Sequence, residues 1–335
     1  MAGRSARKAL AFAVVMITLM ISCAKSGPSA AAPPRADPRL GPALAALGKG
    51  EIELGSQVIA DIRARIASDP EGFLALLSTV LAERALDPDR FARVDKTAAA
   101  LPPSLVPSDL VPLEGSPTRV SRAGHRLRKA ALSALSEMSA AAKAEGIVLE
   151  VSSAYRSFAY QEGVFGRAVA ADGEAEAKRY SAEAGRSQHQ LGTAMDFGSI
   201  SDDFAKNRAF AWLSEHAEDF GFSLSYPPGF EAVTGYREES WHWRWLGVAA
   251  TKLQHRYFGD LQHYLIVFLS HYKAVTSSFV NPVPSAIISI ATPRAFRRRA
   301  SSKARLCSPF AIPSAIPSAI PSARSHSRLP LSERS

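Results

Sequence analysis

The sequence has little cysteine: its two cysteines, Cys23 and Cys307, lie near opposite ends of a chain of 335 residues. A disulfide scaffold needs paired cysteines, and a Cys-based zinc finger needs several at short spacing, so both classes are excluded. The H-E-x-x-H, P-loop and G-x-S-x-G motifs are also absent. The sequence therefore lacks the signatures of the zincins, the P-loop nucleotide-binding proteins and the α/β-hydrolases.

An excess of acidic residues is also missing, and the excess of basic residues is confined to one end. The formal net charge is +9, but residues 273–335 hold ten Lys or Arg and one acidic residue, Glu333. The rest of the chain is balanced, with 30 basic and 30 acidic residues. Because a nucleic-acid-binding domain needs a basic face, we expect no nucleic-acid partner. The basic 273–335 segment repeats Ala-Ile-Pro-Ser and is predicted to be a disordered tail.

The N-terminal segment has the features of an export signal. Three basic residues within the first eight positions precede an uncharged run over 9–22, which is shorter than the ~20 apolar residues of a membrane span. A small residue followed by Cys23 resembles a bacterial lipobox. We therefore expect a signal peptide over 1–22, a lipid anchor at Cys23 and a Pro- and Ala-rich tether over 23–42. Ordinary secretion and an uncleaved anchor are the alternatives, and each places the mature protein in the cell envelope outside the cytoplasmic membrane.

Two folded segments are predicted between the tether and the tail. Residues 43–100 carry apolar residues at helical spacing and almost no strand signal, which predicts a helical extension that packs or acts as a spacer. In 101–272, helices and short strands are interspersed without regular βαβ alternation, which predicts a compact α+β domain. A helix is expected over 121–145, followed by a buried strand over 147–151.

Two short segments of this domain carry candidate metal ligands. Zinc accepts His nitrogen and Asp oxygen, and a catalytic zinc keeps one position open for water. His189 and Asp196 lie seven positions apart with Gly192 between them, and a turn at the glycine would bring both side chains to one ion. Asp196 stands in an apolar strand, and a divalent cation would offset the cost of burying its charge.

His242 is the third candidate ligand, and Glu239 precedes it by three positions. A carboxylate beside a metal-activated water can take its proton and pass it to a leaving amine. Trp241, Trp243 and Trp245 alternate with His242 and are predicted to form an apolar floor on the opposite face of the strand. Spacing alone leaves open that these histidines are ordinary packing residues.

Several motifs follow one another in order across 101–272: Ser153-Ala154-Tyr155-Arg156-Ser157 with Gln161, S-x-H-x-x-G-x-A-x-D at 187–196 and E-x-W-H-x-R at 239–244, with further landmarks between and after them. Together these motifs resemble the VanY-type zinc D-alanyl-D-alanine carboxypeptidase family, which includes related L,D-carboxypeptidases. The resemblance implies a small central antiparallel sheet flanked by helices. The sequence departs from the family pattern at Gln188, where the family usually has Glu, and at Ser240, where it usually has Pro.

The resemblance also implies roles for single residues. Zinc would bind to His189, Asp196 and His242, with Glu239 as the catalytic base. Arg156 would polarise the scissile carbonyl or stabilise the oxyanion, as a fixed guanidinium can do. The resemblance suggests further that Ser187 and Gln161 contact the substrate through hydrogen bonds, although both residue types also occur as loop caps and surface amides.

The expected activity is removal of the terminal D-alanine from peptidoglycan stem peptides. An endopeptidase on the same scaffold and a non-catalytic, zinc-bearing wall-binding module are the alternatives. A carboxypeptidase needs a cationic or amide-lined pocket for the free terminal carboxylate, and Arg156, Arg186 and Arg244 are the candidate cations for it. A serine-type carboxypeptidase is excluded because S-x-x-K occurs without its S-D-N and K-T-G companions. The sequence leaves the oligomeric state open.

Overall fold

The computed structural model of the protein describes residues 37–272. The predicted signal peptide, the lipidation site at Cys23, most of the tether and the basic tail lie outside the described residues. No helix within 37–272 combines the length and the apolar character needed to cross a membrane.

Helices open and close the described part of the chain. The α-helices are α1 (Gly41–Lys49), α2 (Glu51–Leu54), α3 (Ser56–Ser68), α4 (Pro70–Leu86), α5 (Lys129–Ala144), α6 (Phe158–Asp172), α7 (Glu174–Tyr180), α8 (Arg208–His216), α9 (Glu231–Thr234), α10 (Val248–Tyr257) and α11 (Gln262–His271). Short 3-10 helices span Pro38–Leu40, Asp89–Phe91, Gln188–Leu191, Asp202–Lys206 and Ala217–Phe220. The start of α4 follows from its sequence. Pro70 occupies the first turn, where no N–H donor is needed, and the Asp69 carboxylate accepts a hydrogen bond from Gly72 N at 3.0 Å.

The strands are short and form two sheets. They are β1 (Leu110–Pro112), β2 (Arg119–Val120), β3 (Arg126–Arg128), β4 (Glu150–Ser153), β5 (Ala194–Phe197), β6 (Phe222–Leu224) and β7 (His242–Trp245). One sheet pairs β1 with β3, and the other has the order β2-β4-β5-β7-β6. The larger sheet is antiparallel except for the parallel edge pair of β2 and β4. The predicted α+β class, with a small and mainly antiparallel sheet flanked by helices, is confirmed.

Two hydrophobic cores support this arrangement. One is formed by the N-terminal helices together with α10 and α11, and includes Phe73, Ile62 and Phe268. The other lies between the larger sheet and helices α5 and α8, and includes Leu135 and Trp243. The predicted boundary at residue 100 stays a prediction, but the helices before it share their core with the last two helices of the chain's described part.

The prediction of a helix over 121–145 is wrong for its first turns. It begins only at Lys129, and β2 and β3 occupy the region before it. Val120 pairs with Val151 of β4, and Leu127 pairs with Val111 of β1. Strands of two or three residues are too short to show an alternating pattern in the sequence. The strand conformation of this region is therefore set by pairing with β4 and β1, not by local propensity.

Candidate metal centre

The sheet register brings two of the predicted ligands together. Asp196 of β5 lies directly opposite His242 of β7, and it pairs on its other side with Ser153 of β4. Every residue of β5 and β7 is buried. Adjacent strands hold directly opposed side chains within about 5 Å at Cβ, so the backbone alone places these groups in contact.

A tight turn places the third predicted ligand, His189, beside the other two. Ser187 precedes the 3-10 helix that carries His189, and its Oγ accepts a hydrogen bond from His189 N at 3.4 Å. Gly192 then reverses the chain with φ +67°, and a Cβ at this position would lie 2.8 Å from the Leu110 side chain. Glycine is needed here for both reasons, since other residues disfavour positive φ and would also collide. The chain then enters β5, and the turn at Gly192 between His189 and Asp196 is confirmed.

One ligand atom each from His189, Asp196 and His242 lies within 4.8 Å of the other two. His189 Nε2 is 3.3 Å from Asp196 Oδ2, and His242 Nδ1 is 3.0 Å from Asp196 Oδ1. His189 Nε2 is also buried without a hydrogen-bond partner. Buried polar atoms in proteins are nearly always satisfied, so this nitrogen is suited to a metal ion. Two imidazoles and a carboxylate form a donor set typical of zinc.

Hydrogen bonds hold both imidazoles with one nitrogen directed inward. His189 Nδ1 is 2.6 Å from the Ala154 carbonyl oxygen, to which it donates, so Nε2 remains the acceptor. His242 Nε2 is 3.2 Å from Gln188 Oε1, which leaves Nδ1 facing Asp196. The Ser225 hydroxyl donates to the same Gln188 oxygen at 2.8 Å. Such partners fix the tautomer and orientation of metal-binding histidines. The sequence flagged Gln188 only as a departure from the family pattern and gave no sign of this role.

The electrostatics favour the metal-binding protonation states. Burial, together with the neighbouring Arg156 guanidinium, lowers the pKa of His189 to about 4, so this imidazole is neutral at pH 7. Burial alone would raise the pKa of Asp196, but His189 and Arg156 outweigh it and bring that pKa well below its usual value. The site therefore presents a neutral imidazole and an ionised carboxylate.

Glu239 lies at the edge of this cluster, with Oε2 3.7 Å from His242 Nδ1. It is only 7% exposed, and its backbone N–H donates to the Tyr226 carbonyl oxygen at 2.9 Å. Burial, followed by repulsion from Asp196, raises the pKa of Glu239 well above its usual value. A bound dication would counter both effects by attraction.

Arg156, Gln161 and Ser187 lie beside the three candidate ligands. Arg156 donates from Nη2 to Asp196 Oδ2 at 2.6 Å and from Nε to Ser153 Oγ at 2.9 Å. Gln161 is buried, and its Nε2 donates to the Ala182 carbonyl oxygen at 2.7 Å. Ser153 is a residue that sequence reasoning missed, although it stands in the segment that carries Arg156.

The three candidate ligands, Glu239 and the neighbouring Arg156, Gln161 and Ser187 line one open cavity of about 510 Å³. Tyr226 and Tyr236 form part of its wall, and the Tyr226 ring packs 5.0 Å from the His242 ring. Trp243 and Trp245 pack in the core behind the sheet, as the alternation predicts. Trp241, by contrast, also borders the cavity.

Two of the three candidate arginines for a carboxylate pocket lie elsewhere, and that prediction is wrong for them. Arg186 donates from Nη1 to the carbonyl oxygens of Asp95, Lys96 and Ala98 at 2.6–3.1 Å. Arg244, which is 1% exposed, donates from Nη2 to the carbonyl oxygens of Arg90 and Ala92 at 2.8 and 2.9 Å. Both guanidinium groups satisfy backbone carbonyls of the 90–98 segment, a role that leaves no pattern in the sequence.

Comparison with known proteins finds a matching family model and several similar proteins. Residues 124–248 match the family model described as VanY, D-alanyl-D-alanine carboxypeptidase. The putative carboxypeptidase YodJ of Bacillus subtilis is 37% identical over 174 residues, which are 50% of this chain and 64% of that protein. A D-alanyl-D-alanine carboxypeptidase of Enterococcus faecalis is 36% identical over 132 residues, which are 36% of this chain and 49% of that protein. The chain thus spans about half to two thirds of the length of these curated relatives.

The site and the fold define a metal-binding α+β domain with a buried carboxylate beside the candidate metal position. With the match over 124–248, this part of the chain belongs to the VanY family. Among solved structures, the LdcB LD-carboxypeptidase aligns with a TM-score of 0.49 at 33% identity, over 56% of this chain and 89% of that one. A vancomycin resistance D,D-pentapeptidase VanY in complex with Zn(II) aligns with a TM-score of 0.45 at 27% identity, over 54% and 99%.

Proposed function

We propose that the protein is a zinc-dependent carboxypeptidase that removes the terminal D-alanine from peptidoglycan stem peptides. The observation that carries the proposal is the three-ligand cluster, in which His189 Nε2 is buried without a partner and Glu239 lies 3.7 Å from His242 Nδ1. The family description and the activity named for the Enterococcus faecalis relative support the same bond type.

The proposed mechanism uses groups that already face one cavity. Zinc bound to His189, Asp196 and His242 would supply a Lewis acid that lowers the pKa of a coordinated water to about 7. Glu239 accepts the proton of the attacking water and delivers it to the leaving amine. Its burial suits this shuttle, because the proton exchanges with few competing solvent molecules.

Arg156 has the second role in the proposal. Its guanidinium stabilises the negative charge that develops on the scissile carbonyl oxygen, and Ser153 and Asp196 hold it in place. Ser187 and Gln161 line the same cavity and are proposed to bind the substrate through hydrogen bonds. Ser187 Oγ accepts a hydrogen bond from His189 N and can still donate its O–H to a substrate, and the Gln161 amide has a second N–H donor besides the one bonded to the Ala182 carbonyl oxygen.

The proposal is tested by metal removal and by product analysis. The purified full chain should contain about one zinc per molecule and release D-alanine from linear stem peptides. Chelation should abolish release, and added zinc should restore it. Pentapeptide, tetrapeptide and cross-linked dimer substrates, analysed by mass spectrometry, separate D,D- from L,D-cleavage and both from endopeptidase action. Wall binding without any hydrolysis, or turnover that survives chelation, would contradict the proposal.

We also propose that the protein acts outside the cytoplasmic membrane, held there through Cys23. The basic, apolar and small-Cys pattern of the leader supports this placement, and a tethered enzyme suits a polymeric substrate. The proposed organisation is a leader over 1–22, a tether over 23–42, a helical extension over 43–100, the peptidase domain over 101–272 and the basic tail. Incorporation of a labelled fatty acid into the protein, lost in Cys23→Ala, is the expected result; equal labelling of both would contradict the anchor.

A further inference from the structure

Three arginines outside the metal centre line the same cavity: Arg122, Arg167 and Arg237, here called the cationic rim. Within the described residues, no carboxylate oxygen lies within 4.0 Å of their guanidinium nitrogens. Most other cavity-facing or partly buried arginines of this protein do have such partners, as Arg156 has Asp196 and Arg128 has Asp87. The cationic rim therefore carries positive charge that no carboxylate of the described residues neutralises at contact distance.

Aromatic side chains restrain two of these arginines beside the cavity. Arg122 Nη2 donates to the Tyr160 hydroxyl at 3.4 Å. The Arg237 guanidinium lies 4.9 Å from the centroid of the Tyr180 ring, and its Nε is buried without a hydrogen-bond partner. Tyr160 and Tyr180 line the cavity as well. A charge that is held in place loses less entropy on binding a ligand than a free surface side chain does.

The acidic groups of the cavity lie at its floor. Asp196 and Glu239 are 1% and 7% exposed, and they are the acidic residues among those that line this cavity. Arg122 and Arg167 are exposed to solvent, and Arg237 is half-buried. The approach to the metal centre is thus positively charged, and a cleft lined by charge of one sign concentrates ligands of the opposite sign.

The geometry points to a subsite at the cationic rim for carboxylate groups on the acyl side of the scissile bond, so that the preferred substrate is an anionic peptide. This inference rests on the proposed carboxypeptidase function. An enzyme that removes one C-terminal residue places that residue beside the metal and Arg156. All residues before the scissile bond must then extend outward, past the mouth of the cavity where the cationic rim lies. Arginine binds carboxylates through charge-assisted, often bidentate hydrogen bonds.

The test compares synthetic peptides that share their last two residues and differ upstream only in a side-chain carboxylate or its amide. With the zinc-loaded full chain at low salt, we expect kcat/KM to be about tenfold or more higher for the carboxylate peptide, the effect of a hydrogen bond to a charged group. Replacing all three residues (Arg122→Gln, Arg167→Gln and Arg237→Gln) should bring this ratio close to one. Arg208→Gln, which changes an exposed arginine outside the cavity, should leave the ratio unchanged.

Two further measurements keep the inference separate from the proposed function. If no peptide is hydrolysed, the proposed function fails. The inference is then tested by binding alone: the carboxylate peptide should bind to the zinc-loaded chain with a dissociation constant about tenfold or more lower than that of the amide peptide. A second peptide pair with a free or an amidated C-terminus identifies the group that the cationic rim binds. Equal constants for the carboxylate and amide peptides would overturn the inference. So would a triple variant that loses only the preference for the free C-terminus.

Discussion

At the residue scale, the proposed centre depends on which nitrogen of each imidazole carries its proton. His189 is fixed by a main-chain carbonyl, which no side-chain substitution removes. His242 is fixed by the side chain of Gln188, which in turn accepts a hydrogen bond from Ser225. The amide oxygen of Gln188 is therefore one point at which a side chain that is not itself a proposed ligand would control the metal affinity of the site.

We predict that Gln188→Ala lowers zinc affinity by about 10- to 100-fold, the range typical for loss of a partner that orients a metal ligand. Without the Gln188 acceptor, the His242 ring can rotate or change tautomer, and a buried donor loses its partner. Gln188→Glu is the matched control, because it keeps an acceptor oxygen and should retain tight binding. Competition with a chelating dye measures both constants, and unchanged affinity in Gln188→Ala would rule out the orienting role.

At the element scale, the position of β6 and β7 depends on a close approach of two backbone segments. Gly221 follows the 3-10 helix Ala217–Phe220 with φ +81°, and its N–H is the donor of a capping hydrogen bond to Glu218 O. A Cβ on Gly221 would lie 2.6 Å from the backbone of Gly247, just after β7. Because backbone cannot move aside as a side-chain tip can, only glycine fits.

We predict that Gly221→Ala lowers the free energy of unfolding by about 3 kcal/mol or more, because a steric clash adds to the ~1–2 kcal/mol cost of positive φ. Gly229→Ala is the matched control: Gly229 has φ +83°, but a Cβ there meets nothing within 4 Å. It should lose only the ~1–2 kcal/mol that positive φ costs. Urea unfolding of both variants measures the difference, and equal losses would show that the contact with Gly247 is unimportant.

Among the structural elements, those set by local chemistry could be predicted from the sequence, and contacts between distant segments could not. The turn at Gly192 and the N-cap of α6 by Ser157, whose Oγ accepts from Tyr160 N at 3.2 Å, follow from local chemistry and were predictable. That Asp196 and His242 lie together could be inferred only from the family's motifs, because no spacing rule relates residues on separate strands. Arg244 was wrongly considered a candidate for the carboxylate pocket. From the sequence alone, an arginine that donates to buried main-chain carbonyls cannot be distinguished from one that binds a ligand.

At the scale of the whole molecule, the two hydrophobic cores meet through α10, which follows β7 directly and packs against the N-terminal helices. Phe73 of α4 is fully buried against Tyr257 of α10, with ring centroids 5.2 Å apart. The four tryptophans of the chain all lie in the other core, around the sheet. Tryptophan fluorescence therefore reports on a core that Phe73 does not belong to.

We predict that Phe73→Ala lowers the free energy of unfolding by about 3–5 kcal/mol, and that the urea midpoint followed by tryptophan fluorescence falls accordingly. The reason is that the cavity left by the phenylalanine destabilises both cores if they unfold as one cooperative unit. Leu86→Ala, at a side chain that is 89% exposed, should leave the midpoint in place. If Phe73→Ala instead creates a separate early transition without moving the tryptophan signal, the helical extension folds as an independent unit.

The central claim is that three side chains bind one zinc ion and that Glu239 acts beside it without being a ligand. The most direct measurement is zinc content and D-alanine release in Glu239→Gln, an isosteric change at the buried carboxylate. We predict one zinc per chain, as in the wild type, with release reduced by at least about 100-fold. Loss of zinc would make Glu239 a ligand, and near-normal release with zinc bound would remove it from the chemistry; either result would contradict the account.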